Sequence, residues 1–295
     1  MTEAEIKRLL AENAAYTEEK LTAYLSPEKI GDNQLGDAMR YAALGGGKRI
    51  RAFLARYFCR AFGGSDDESA PLSCAIEMVH AYSLIHDDMP CMDNDDMRRG
   101  KPSCHKAFGE AEALLAGDAL LTYAFEVCAS NHAVSGETAA RTAVCLAAGA
   151  GANGMCGGQH YDLYETFGSE AELAAMQDLK TGALIKTACL LGYYAAVGKP
   201  DDAVCEKITE YALKIGLAFQ IEDDILDATA DEAALGKPVG SDAKNGKTTW
   251  LSFFTIDEAR KKAAELTEKA CEAIKPYDRD GVLTALAYML LTRDK

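Results

Sequence analysis

Helix-periodic stretches punctuated by single prolines constrain this chain more than any other feature. Pro27, Pro71, Pro90, Pro102, Pro200, Pro238 and Pro276 all fall between such stretches or at their ends. Between them Ala, Leu, Glu, Lys and Met dominate, and these are good helix formers. Strand-like alternation bounded by turn dipeptides is absent. The pattern predicts helices over about 3–24, 32–43, 48–61, 68–88, 110–130, 135–150, 154–166, 170–197, 201–229, 257–274 and 280–292. Several central stretches, such as TGALIKTACLLGYYAAVG, are apolar on nearly every side, as helices inside a bundle are. No composition shift, linker or low-complexity tract divides the chain. The expectation is one all-α domain over residues 1–295, with no internal repeat beyond two Asp clusters.

Those clusters are DDMPCMD at Asp87–Asp93 and DDILD at Asp223–Asp227. Each packs three carboxylates into a short span, inside the apolar stretches AYSLIHDDM and IGLAFQIEDDILD. One DDxxD match alone fits a solvated acidic helix end equally well. Two, both embedded in core-like sequence, need partners. Dense hard oxygen suits Mg²⁺, which takes a few carboxylates and completes its shell with water and phosphate. A Ca²⁺ loop needs alternating ligands around a Gly and a terminal Glu, and neither cluster has them. In DDILD, Asp223 and Asp227 share a helix face, whereas Asp224 is turned by about 100°. In the first cluster Pro90 ends or bends the helix near Asp88. Asp93 is therefore expected to return to the same site from the loop MPCMDNDDMRRGKPS, and that loop has the composition of a lid.

A net charge of -15 argues against a general nucleic-acid or anionic-membrane surface, so an anionic substrate must be met by local cations and metal. GGGKRIR at Gly45–Arg51 puts Lys48, Arg49 and Arg51 at a helix start after three glycines, a plausible anion site. Lys180-Thr181 is a second candidate, although a snorkelling lysine competes. Gly182 would weaken the helix there unless a close approach or a local break is wanted. Lys237 and Lys247 bracket a Gly/Pro-containing loop, which reads equally as ordinary solvated chain. His80, two turns before Asp87, points toward the first cluster, while His86 reads as structural. No zinc spacing exists. The ten cysteines form no CxxC pair, the start MTEAEIKRLLAENAAY is no export segment, and no apolar run reaches the ~18 residues of a membrane span. Reduced thiols and a cytoplasmic location are expected.

From GGGKRIR through AYSLIHDDMPCMDNDDMRRGKPSCHKAFGEAEALLAGDALL, GGQHYDL, LKTGALI and FQIEDDILD to LGKPVGSDAKNGKTT, the chain resembles the short-chain trans-prenyltransferases, most closely the bacterial farnesyl diphosphate synthases. The resemblance covers almost the whole chain. It implies an all-helical bundle around a deep central cavity with the Asp motifs facing each other at its mouth, and a homodimer. It implies that Asp87, Asp88, Asp93, Asp223 and Asp227 hold Mg²⁺, with Asp224 nearby. Three ions per site are implied with substrate bound, and Mn²⁺ is an alternative. Arg98, Lys180 and Lys237 would grip the allylic diphosphate, and Lys48, Arg51, His80 and Arg99 isopentenyl diphosphate. Thr181 and Gln220 would face the developing cation, with Gln159 and Asp162 beside the first motif. Ala52 stands where the family usually has proline, and only a local backbone effect is expected.

The implied reaction joins isopentenyl diphosphate head-to-tail to dimethylallyl and geranyl diphosphates. Tyr82 and Ser83, about one turn below Asp87, would floor the cavity at the farnesyl (C15) length. Tyr82 reads equally as a core aromatic. Geranyl or geranylgeranyl diphosphate is the alternative product. A terpene cyclase should lack Lys48, Arg51 and His80, and a non-catalytic partner subunit should lack the Asp motifs.

Overall fold

The computed structural model describes residues 1–229 and 247–292. Among the described residues the chain is helical apart from one two-stranded ribbon. Contacts divide it into two compact units: residues 7–147 with 191–200, and residues 1–6 with 148–190 and 201–295. Three of the four boundaries fall inside helices, α1, α8 and α11, whose ranges follow, and the fourth falls between helices at 200/201.

The first unit contains most of α1 (Glu3–Tyr24), then α2 (Pro27–Ile30), α3 (Gln34–Ala43), α4 (Ile50–Ala61), α5 (Asp66–Asp87), β1 (Met97–Arg98), β2 (Lys101–Pro102), α6 (Cys104–Phe108), α7 (Glu110–Ala129) and most of α8 (Gly136–Ala150). Helix α5 is its axis, packed against α4, α3 and α7. It is buried on nearly every side from Ser69 to Val79, so tertiary packing rather than an amphipathic stripe holds it. Ser65 and Glu68 form a capping box that starts α5 two residues before the expected position. Pro71 therefore lies inside the helix, not at its end.

The second unit holds α9 (Met155–Tyr164), α10 (Glu170–Gln177), the start of α11 (Ala183–Val197), α12 (Asp202–Thr229), a 3₁₀ turn (Trp250–Ser252), α13 (Ile256–Ile274) and α14 (Val282–Leu291). Trp250 is its largest fully buried side chain, packed with Leu173, Met176, Ile221 and Ile225. The expected continuous helix over 170–197 is interrupted by a π-helical turn, Asp178–Gly182. The reason is close packing. A Cβ at Gly182 would lie 3.0 Å from Leu213 Cδ2, and one at Gly216 would lie 3.3 Å from Gly182 Cα. The two glycines let α12 approach the turn, and the extra residue of a π-turn re-aims the side chains around it.

The sequence pattern also missed the β1–β2 ribbon. Arg98 pairs with Lys101, and the two-residue link Arg99-Gly100 has positive φ at both positions (53° and 76°). A right-twisted hairpin needs that, and glycine supplies one of the two without strain.

Candidate active site

In the first unit, α5 ends at Asp87, with Asp88 as its C-cap, two residues before Pro90. The loop then curls back. The Asp93 N–H donates to the Asp87 carbonyl at 2.9 Å, and the Asn94 N–H to the Met89 carbonyl at 3.1 Å, with Asn94 left-handed at φ 53°. Asp93 thus returns to the end of α5, as expected from Pro90. Asp87 is half-buried and Asp93 exposed, whereas Asp88 is only 2% exposed. Asp88 accepts a fork from Arg98, with Nε at 3.0 and 3.2 Å from its two oxygens and the Arg98 Nη2 on the same carboxylate. Burial pushes the Asp88 carboxyl up, and Arg98 opposes it. The hairpin therefore delivers Arg98 to the helix end bearing the first Asp cluster.

Around the glycine-rich turn, the same unit assembles like charges. Gly46 and Gly47 have φ of 78° and 115°. The φ of Gly47 favours glycine, and a Cβ there would crowd the Arg99 guanidinium at 3.1 Å. Arg99 donates to the Gly46 carbonyl at 2.6 Å. Burial pushes the Arg51 guanidinium below its ordinary range; Glu77 opposes that shift and Arg99 adds to it. The Arg51 Nε is buried and has no hydrogen-bond partner among the described residues. Burial, then Arg51 and Arg99, hold His80 well below the usual imidazole range, so it is neutral at pH 7. A buried, orphaned N–H donor on Arg51 with the exposed Arg99 guanidinium near it suits an anion. Lys48, exposed, lies on the same turn. His86 is structural, as the sequence suggests: its Nε2 lies 3.1 Å from the Leu114 carbonyl, and its ring occupies the space above Gly117.

Tyr82 is 5% exposed and meets His86 edge to face. Ser83 is half-buried and donates to the His80 carbonyl at 3.0 Å.

In the second unit, Asp223, Asp224 and Asp227 lie within α12. Asp223 and Asp227 are half-buried, and Asp224 is buried. The Trp250 N–H donates to Asp224 Oδ2 at 2.8 Å, while the Trp250 Nε1–H donates to Gln177 Oε1 at 2.7 Å. Asp224 thus fastens α12 to the Trp250 turn, which explains why it is turned away from the face of its neighbours. Thr181 donates to Gln220 Oε1 at 2.9 Å, bringing both cation-facing candidates together. Lys180 Nζ lies 2.6 Å from Asp162 Oδ2, and Lys247 Nζ lies 3.4 Å from the same atom. Burial would raise the Asp162 carboxyl, but Lys180 and then Lys247 hold it below the usual range. Asp162 is thereby a junction between α9, the π-turn and Lys247. Sequence reasoning gave no role to Gly158, yet a Cβ there would fall 2.1 Å from the Lys180 amide nitrogen. Its signal was the unusual Gly-Gly before Gln159. The Gln159 Nε2 is buried without a partner among the described residues. Lys237 lies outside the described residues.

Among the described residues, no group of three or more His, Cys, Asp or Glu side chains closes on a point to make a metal site. The donor chemistry nonetheless fits Mg²⁺. The candidates are all hard carboxylate oxygens, and this ion uses one or two carboxylates while keeping water and substrate phosphate.

A sequence model of the polyprenyl synthetase family matches residues 32–289. The chain belongs to that family. It is 42% identical to farnesyl diphosphate synthase of Escherichia coli strain K12, over 93% of this chain and 94% of that protein. It is 41% identical to a chloroplastic geranylgeranyl pyrophosphate synthase of Catharanthus roseus, over 88% and 74%. Among solved structures, an FPP/GFPP synthase from Zymomonas mobilis matches with a TM-score of 0.85 at 34% identity, covering 98% of this chain and all of that one. The all-α expectation and the prenyl-synthase resemblance are both borne out.

Proposed function

We propose that this polyprenyl synthetase condenses dimethylallyl and then geranyl diphosphate with isopentenyl diphosphate to give (2E,6E)-farnesyl diphosphate. The observation that carries the reading is the pair of guanidinium groups, Arg51 and Arg99, beside neutral His80, with the orphaned Arg51 Nε. A cyclase needs one diphosphate site, served by the Asp motifs and Lys180. A second anion site, remote in sequence from DDILD, is what a co-substrate with its own diphosphate requires. The Escherichia coli and Geobacillus stearothermophilus relatives bear the farnesyl name.

In this reading Arg98, Lys180 and Lys237 take the allylic diphosphate, and Lys48, Arg51, His80 and Arg99 take isopentenyl diphosphate. Asp87, Asp93, Asp223 and Asp227 would hold Mg²⁺, with Asp88 and Asp224 supporting them; the ions, three with substrate bound, would supply Lewis-acid neutralisation of the leaving group. The allylic C1–O bond breaks and its electron pair leaves with diphosphate, whose charge Lys180 and Arg98 meet. Thr181 and Gln220 turn oxygen dipoles toward the allylic cation. The isopentenyl double bond attacks C1, held close by its own site. The proton then lost goes to the departing diphosphate, so no side-chain base is needed.

Incubation with Mg²⁺, dimethylallyl diphosphate and isopentenyl diphosphate should give a C15 product. No condensation product would sink the reading. A C20 product would favour the second reading, geranylgeranyl synthesis, which relatives at 41% identity support. If buried Tyr82 floors the cavity, Tyr82→Ala should lengthen the product and Ser83→Phe should shorten it to C10, because a close-packed interior does not absorb another isoprene unit. An unchanged C15 product from both variants would place the stop elsewhere.

Leu114, Leu115 and Val144, at 47%, 53% and 69% exposure on α7 and α8, support a homodimer. Light scattering should give twice the 31.6 kDa chain mass, and a monomer would refute it. The ten free cysteines support a cytoplasmic location. No helix among the described residues is long and apolar enough to cross a membrane. We take the whole chain as one functional domain, since the family match runs through both units.

A further inference from the structure

Arg49 sits between Lys48 and Arg51 but does not share their surroundings. It is the N-cap of α4, left-handed at φ 50° and ψ 40°, a costly conformation for a side-chain-bearing residue. Its guanidinium is buried and both Nη groups are paired, while Nε has no hydrogen-bond partner among the described residues. Nη1 donates to Glu77 Oε2 at 3.2 Å, and Nη2 donates to Glu18 Oε2 at 2.7 Å and to the Ala43 carbonyl at 2.6 Å. Burial alone would lower its pKa, but Glu77 and Glu18 more than reverse that. The other Glu77 oxygen accepts the Ala52 N–H at 3.0 Å. The Arg49 side chain makes no cap hydrogen bond, so Glu77, reaching across from α5, supplies the cap for the first turn of α4. That N–H exists only because Ala52 stands where the resemblance leads one to expect proline. The substitution is therefore more than a local backbone effect, since it links two helices.

We propose that Glu77 is the positioning residue of the isopentenyl diphosphate site. Its buried carboxylate locks Arg49 in the left-handed turn and fixes α4 to α5. Lys48 and Arg51, on either side of Arg49, are thereby held in place relative to His80, one turn along α5 from Glu77. Glu77 does not touch substrate. This rests on the proposed function for the name of the ligand, but not for the geometry.

The test is Glu77→Gln, which keeps the shape and an acceptor for the Ala52 N–H but weakens the hold on Arg49. A carboxylate that acted only through its charge would oppose anion binding, so its removal would tighten that binding. The positioning role gives the opposite sign. The Michaelis constant for isopentenyl diphosphate should rise about tenfold, as loss of roughly one charged hydrogen bond does, while that for dimethylallyl diphosphate and kcat stay within about twofold. Calorimetric binding of inorganic diphosphate in EDTA should weaken in parallel, and this readout needs no turnover. Ala52→Pro, which removes the amide donor in the first turn of α4, where proline is tolerated, should raise the same constant about threefold. Unchanged or tighter binding in a folded Glu77→Gln variant would overturn the proposal. If that variant does not fold, unchanged binding in Ala52→Pro overturns it instead. Wild-type protein without transfer activity whose diphosphate binding still falls in Glu77→Gln would refute the function while sustaining the role of Glu77.

Discussion

The two aspartate clusters have similar sequences and different scaffolds. Asp87, Asp88 and Asp93 are built on a helix end, a returning loop and a hairpin, and their buried member is secured by Arg98, a side chain. Asp223, Asp224 and Asp227 are built inside a 28-residue helix, and their buried member is secured by the Trp250 main-chain N–H in an apolar core. In both, one carboxylate serves as a fastener. The loop-built cluster depends on one ion pair and on hydrogen bonds within a surface loop, and such loops open at low cost. The helix-built cluster depends on core packing, which opens only with its unit. The first is therefore the cluster suited to adjust around a substrate, and the second the one suited to stay fixed.

The largest effect expected is on turnover, and it should be blind to this difference. Asp87→Ala and Asp223→Ala each remove a carboxylate proposed to hold an ion that offsets leaving-group charge. Each should lower kcat/KM by roughly a thousandfold, a loss of about 4 kcal/mol of transition-state stabilisation. Circular dichroism should show the helical content intact. Turnover within about tenfold of wild type in either variant would break the pairing of the clusters.

The fasteners should separate the two. Asp224→Ala strands the buried Trp250 N–H, which costs about 1–3 kcal/mol, and the cost falls on the core of its unit. The melting temperature should drop by several degrees. Asp88→Ala strands Arg98, whose side chain is 26% exposed and can turn to water. Its melting temperature should change by less than about 2 °C, while proteolysis within residues 89–103 should quicken. Equal melting temperatures for the two variants would remove the distinction between the scaffolds.

The sequence carried the helices well because burial and helix-forming composition act together over many residues. It carried the Asp clusters well because carboxylates in apolar sequence stand out. Pro90 was enough to predict the return of Asp93. The π-turn was legible only as a doubt about Gly182, since its cause, the approach of Leu213 and Gly216, lies more than thirty residues further along the chain. Glu77 was not legible at all. Its partners Arg49 and Ala52 meet it only in the fold, and a single Glu in an apolar stretch names neither of them. The Arg99-Gly100 hairpin was missed because two-residue strands are too short to show alternation.

The smallest effect sharpens the contrast between fastened and unfastened carboxylates. Asp178 opens the π-turn that carries Lys180 and Thr181. Unlike Asp88, it has no arginine fork among the described residues. Burial pushes its carboxyl up to about 6, with only the charges of Lys186 and Lys214 opposing. A raised carboxyl pKa means that the folded protein holds this proton more tightly than the unfolded chain, whose value is about 3.9. Between about pH 4 and pH 6 the folded state therefore binds more protons, so stability falls as pH rises through that window. Above it the penalty is complete. Two units would correspond to about 3 kcal/mol, but the group is partly exposed and screening reduces this to about 1 kcal/mol. Asp178→Asn removes the ionisation and keeps the shape. At pH 7.5 it should raise the melting temperature by about 2 °C, and near pH 4 the variant and the wild type should coincide. An equal gain at both pH values would show that the side chain acts through shape rather than charge. No gain at either would mean that Lys186 and Lys214 already serve Asp178 as Arg98 serves Asp88, and that the π-turn carries no unfastened charge.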